Sequence, residues 1–207
     1  MMTLCSRILS YITHPILTVT YLLAFVLFQK DSYLYYTISS NGRWFFLLVT
    51  VLLTVVAPLI SVGYLLYTKQ ISSIHLDNRQ ERIIPLTISA AYTFGLYYLF
   101  LKFSMPPIIM TVIGIGVIGV ILTLLITLFW KISAHMIGVA GFNGAVLGIS
   151  QTFQSVDLAV IVLLFILSGM VGTARIKLGA HSLNQVLTGW VLGLGVSYTA
   201  VIFLMNS

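Results

Sequence analysis

Charge is what this sequence has least of. Only 7% of its 207 residues are Asp, Glu, Lys or Arg, and four of these are acidic. A soluble domain carries roughly 25%, so a water-facing surface cannot be assembled from this chain. The single cysteine, Cys5, excludes an intrachain disulfide. The scattered carboxylates offer no oxygen cage for a metal ion. No basic stripe or aromatic-basic platform is present, which argues against nucleic acid as a partner. Apolar runs are continuous rather than alternating, which argues against the strands of a membrane barrel. The first apolar run is too long for a cleavable signal peptide, and no small-residue cleavage site follows it. Internal repeats and long linkers are also missing, which weakens an inverted-repeat transporter reading.

What the chain does have is hydrophobic sequence, at 59% of all positions. A helix needs about 20 apolar residues to span the hydrocarbon. Seven such segments are legible: Ile8 to Gln29, Trp44 to Thr68, Pro85 to Phe103, Ile108 to Trp130, His135 to Thr152, Val156 to Thr173, and His181 or Ser182 to Met205. The expected fold is all-α, a polytopic transmembrane bundle of six or seven spans forming one domain over 1–207. Pro58 predicts an irregularity in the second span, because proline lacks the N–H its ladder needs. Gly138, Gly141, Gly144 and Gly148 in the fifth segment, with Gly189 and Gly193 in the seventh, predict close helix packing.

Two polar islands interrupt this pattern: Lys131-Ile132-Ser133-Ala134-His135 and Ala174-Arg175-Ile176-Lys177-Leu178-Gly179-Ala180-His181. The loop Lys69–Arg82 follows the second span, the first island comes two spans later, and the second island two spans after that. An even number of crossings returns the chain to the same face. His75, Arg79, Arg82, Ser133, His135, Arg175 and His181 are therefore expected on one membrane surface, and His14 shares their parity. Lys30, Arg43, Lys102, Asp31 and Asp157 fall on the other. Singly, Lys69 and Arg82 read as interfacial anchors and His75 as a solvated loop residue. Joint placement is what marks Ser133, His135, Arg175 and His181.

Histidines, a hydroxyl and arginines with few carboxylates describe a site for an anion. Arginine grips phosphate bidentately, and a hydroxyl at a helix start adds a donor beside the positive end of the helix dipole. Imidazole is a nucleophile toward phosphorus or a proton donor to a leaving oxygen.

The run Ile132-Ser133-Ala134-His135, followed after two spans by Ala174-Arg175, five residues, His181, three residues and Gln185, resembles the type 2 phosphatidic acid phosphatase family. That family's second motif reads Pro-Ser-Gly-His. Its third reads Ser-Arg, five residues, His, three residues, Asp. The first motif, Lys, six residues, Arg-Pro, is echoed only by His75 and Arg82, with Pro85 shortly after. The resemblance covers about 69–195 and looks closest to a small bacterial branch. It implies a metal-independent hydrolase without cofactor, acting on a membrane lipid phosphate or polyprenyl pyrophosphate. His181 would be the nucleophile, passing through a phosphohistidine, and His135 would protonate the leaving oxygen. Arg175, Ser133, Arg82, Arg79 and Lys131 would hold the phosphate.

Gln185 stands where the family has the aspartate that orients the nucleophile, and the first motif lacks its lysine and adjacent proline. A second reading is therefore a weakly active or inactive relative that binds or moves anionic lipids. A third, a small transporter or channel, finds no carboxylate pathway beyond Asp157 and Asn143. The resemblance implies the bacterial cytoplasmic (inner) membrane, with the site on its extracytoplasmic face. The positive-inside rule pulls the other way: Arg7, Lys69, Arg79, Arg82, Lys131, Arg175 and Lys177 share the histidine-bearing face.

Overall fold

A computed structural model describes residues 2–206 apart from Asp31, His75, Asp77 and Ser155. The first-motif echo at His75 and the assignment of Asp31 to the far face thus lie outside the described residues. Among those described, 82% are helical and none is in a strand, as the continuous apolar runs predict. Seven helices are long and apolar enough to cross a bilayer: Leu4–Phe28, Ser40–Tyr67, Gln80–Lys102, Pro107–Thr127, Ala134–Phe153, Leu158–Lys177 and Leu183–Met205. At 1.5 Å per residue, 20 residues cover about 30 Å, the thickness of the hydrocarbon. This is an integral membrane protein.

The first span is not one continuous helix. Helix α1 (Met2–Ile12) stops, a short 3-10 turn runs through Pro15–Leu17, and α2 (Thr18–Phe28) carries on. Proline disfavours a helical conformation in the residue before it. His14 accordingly adopts φ −61, ψ 133, and its Nδ1 accepts the Ile16 N–H. A short α3 (Tyr33–Thr37) precedes the second span, in which α4 (Ser40–Val51) passes through a π turn at Leu52–Val56 into α5 (Ala57–Tyr67). The irregularity expected from Pro58 is this widened turn just ahead of it, where the proline ring would otherwise meet the carbonyl one turn back. The third and fourth spans contain α6 (Ile83–Lys102) and α7 (Pro107–Thr127). The last three contain α8 (Ala134–Phe153), α9 (Leu158–Lys177) and α10 (Leu183–Asn206). Helix α9 runs a full turn past its expected end at Thr173, so Arg175 and Lys177 ride on its last turn, where cations suit the dipole.

The chain divides into two compact units, Met1–Thr18 with Lys131–Ser207, and Val19–Trp130. The stretch 69–195 therefore draws on both. In the second unit, Leu22, Leu23, Leu27, Leu96, Phe100, Ile109, Val112 and Ile113 are fully buried, and Phe46 meets Phe100 edge-on. Thr20 and Thr54 share a buried hydrogen bond of 3.2 Å.

In the first unit α9 returns the chain, so α8 and α10 run parallel and pack through glycine. A Cβ on Gly144 would strike the Leu194 carbonyl, and one on Gly193 the Ile137 carbonyl. At Gly148 it would lie 2.8 Å from the Val201 Cβ. Gly138 admits Pro15 and Thr18 in the same way. Lipid tails solvate apolar side chains as well as protein does, so backbone approach of this kind supplies the attraction between helices.

Candidate functional site

Met136 and Val139 of α8, Val171 of α9 and Val186 of α10 form a buried apolar cluster, with Leu9, Leu167 and Trp190 against it. Residues four apart share a helix face. One turn beyond Val139 lies His135, and one turn beyond Val171 lies Arg175. The faces that build the apolar floor thus continue into a polar rim, at the end where α8 begins, α9 ends and α10 begins.

Ser133 takes the N-cap position of α8, and its carbonyl accepts the N–H groups of Met136 and Ile137 at 3.1 Å. The hydroxyl does not turn back onto the first helical turn. Its Oγ is buried, with the residue 0% exposed, and has no hydrogen-bond partner among the described residues. Burying an unsatisfied hydroxyl costs about 1–3 kcal/mol, which makes it a ready partner for an incoming polar group. Lys131, half-buried, stands two residues before it.

The His135 Nε2 donates to the Ser10 carbonyl at 3.1 Å, and its ring meets that of His14 edge-on at 5.3 Å. Arg175 donates from Nη1 to the Ser10 hydroxyl at 3.2 Å. Arg175, His14 and His181 all lie within electrostatic reach of the His135 ring.

Local folding explains the spacing of Arg175 and His181. Helix α9 closes with the Gly179 N–H on the Ile176 carbonyl (2.9 Å) and the Ala180 N–H on the Arg175 carbonyl (3.1 Å). This double-bonded stop needs a left-handed residue, and Gly179 at φ +65 provides it without a Cβ clash. The five residues between Arg175 and His181 are thereby folded into one tight reversal.

His181 is 7% exposed. Its Nδ1 lies 3.0 Å from the Gln185 Oε1, which also accepts the Ser182 N–H at 3.2 Å. A backbone N–H only donates, so the amide atom facing it is the oxygen. An amide oxygen only accepts, so His181 Nδ1 carries the hydrogen and the neutral ring holds its lone pair on Nε2. Gln185 thus orients the ring from one turn ahead, as its spacing predicts, but brings no charge.

Arg79 and Arg82 belong to the other unit. Arg79 donates from Nη1 to the carbonyls of Thr127 and Leu128, at the end of α7, and the Arg82 Nε donates to the Leu76 carbonyl at 2.7 Å. Among the described residues, no three His, Cys, Asp or Glu side chains are grouped to hold a metal ion.

Ser10 was missed at the sequence level, and His14 was placed on this face by parity alone. A signal for Ser10 existed. Ser6, Ser10 and Thr13 recur at helical spacing and all three are buried, whereas Leu4, Ile8, Tyr11 and Ile12 on the same helix are exposed. The polar edge of α1 faces inward, the reverse of a water-facing helix, because this rim offers it polar partners.

Comparison with protein-family models, curated proteins and solved structures finds no match to this chain.

The rim gathers a guanidinium, the buried Ser133 hydroxyl and the imidazoles of His14, His135 and His181, groups whose chemistry suits an anion. The first unit contains one carboxylate, Asp157. It caps the far end of α9 through the Ala159 N–H at 2.8 Å, about 27 Å along the helix from Arg175. No acid of this unit competes with a bound anion there.

Proposed function

We propose that this protein is a metal-independent phosphatase of membrane lipid phosphates or polyprenyl pyrophosphates, working through His181. The observation that carries the reading is the Gln185 Oε1, shared by the Ser182 N–H and the His181 Nδ1–H, which leaves Nε2 as the nucleophilic nitrogen. The motif resemblance supports it, as does the convergence of Ser133, His135 and Arg175 at the same rim.

Two balanced steps follow. Nε2 of His181 attacks phosphorus while the P–O bond to the lipid breaks, and His135, protonated in the field of the bound anionic phosphate, gives its Nδ1 proton to the departing oxygen. The phosphohistidine is then attacked by water, which loses a proton to His135. The P–N bond breaks, inorganic phosphate leaves, and both histidines return to their starting states. Arg175, Ser133 and Lys131 stabilise charge on the phosphoryl oxygens, the largest contribution in phosphoryl transfer. The site faces outward from the bacterial cytoplasmic membrane.

Purified protein is expected to release inorganic phosphate from phosphatidic acid or a polyprenyl pyrophosphate without added metal. His181→Ala should lower that rate by at least about a thousandfold. Gln185 favours a second reading, a relative that binds anionic lipid headgroups without cleaving them. Wild type and His181→Ala that both bind lipid phosphate and are equally silent in phosphate release would establish that reading instead.

A further inference from the structure

We propose that Ser10 is a positioning residue of the phosphate site, bringing the N-terminal helix into the machinery. This rests on the phosphoryl-transfer reading above. Thr13, on the same buried edge, spends its hydroxyl on its own helix, at the Leu9 carbonyl, 2.8 Å away. Ser10 does not. Its hydroxyl accepts the Arg175 Nη1 across 165 positions of sequence, and its carbonyl accepts the His135 Nε2 across 125.

The two contacts act on different groups. Guanidinium presents its donors in a rigid plane, so anchoring one Nη1 hydrogen on Ser10 sets the plane in which the remaining donors meet phosphate oxygens. The carbonyl contact fixes His135 with its hydrogen on Nε2, which assigns proton exchange to Nδ1. The side chain of Ser10 therefore governs phosphate binding, while its backbone governs the proton-carrying ring. Substituting the side chain removes only the first.

The test is titration of purified full-length protein with inorganic phosphate, alongside kcat and KM for phosphate release from phosphatidic acid. Ser10→Ala and the volume-preserving Ser10→Cys are expected to weaken phosphate binding and raise KM by about tenfold, with kcat changed less than about threefold. Ser10→Thr, which keeps an acceptor oxygen, should stay within about twofold of wild type. Thr13→Val, altering the same edge, should bind as wild type does. If Arg175→Ala abolishes phosphate binding while Ser10→Ala and Ser10→Cys bind as wild type does, the positioning role is overturned and the phosphatase reading stands. If wild type neither binds inorganic phosphate nor releases it from lipid, both fall together.

Discussion

The amide of Gln185 accepts hydrogen bonds from the His181 ring and the Ser182 N–H, and so sets a tautomer without supplying charge. In the proposed phosphohistidine the ring is cationic, and a carboxylate at position 185 would stabilise it. Charge-assisted hydrogen bonds are roughly twice as strong as neutral ones, so Gln185→Glu is expected to speed single-turnover phosphohistidine formation by about tenfold. Gln185→Met removes the acceptor and frees the ring to take the other tautomer. Its rate should fall by up to about four orders of magnitude, the loss that the wrong tautomer causes in the serine-protease triad. A Met variant as fast as wild type would remove Gln185 from the mechanism. Ser133, His135, Arg175, His181 and Gln185 were legible in sequence because each lies within a short motif whose spacing is itself the geometry. Ser10 was not, because its partners lie 125 and 165 positions away and only tertiary packing brings them together.

Among the helices, the glycines divide into two kinds that look alike in sequence. Gly144 and Gly193 meet neighbouring backbone, whereas a Cβ on Gly95 or Gly169 meets nothing within 4 Å. Gly144→Ala and Gly193→Ala should each lower stability by about 1–3 kcal/mol through overpacking. Gly169→Ala should be neutral or slightly stabilising, since alanine favours helix. Thermal unfolding in detergent measures the difference, and equal melting temperatures for the three variants would contradict the packing. Small-residue spacing announced a packing face on the fifth and seventh segments. It did not name the partner, because α8 and α10 are joined through α9 and run parallel, a pairing set by the third helix rather than by their own residues. The break falls where Thr13-His14-Pro15 interrupts the apolar run near the start of the first span, and the restriction that Pro15 places on His14 divides the helix there.

Across the whole molecule, continuous apolar runs made the seven spans legible to within a few residues, while basic residues left orientation contested. Within the first unit, α8 and α9 each cross once, so Gln154 and Leu178 should face opposite sides of the membrane. Cys5 is exposed and must first be replaced. In a Cys5→Ser background, a membrane-impermeant maleimide applied to intact cells should label Leu178→Cys and not Gln154→Cys. The reverse result would place the rim in the cytoplasm, and labelling of both would contradict the crossing. The seam between α8 and α10 carries a consequence for how a lipid could reach such a rim. Where a glycine on one helix touches the carbonyl of the next, no acyl chain can slip through. That boundary is a sealed wall within the first unit, so the tail of any amphiphile held at the rim must leave for the bilayer by some path other than the one between α8 and α10.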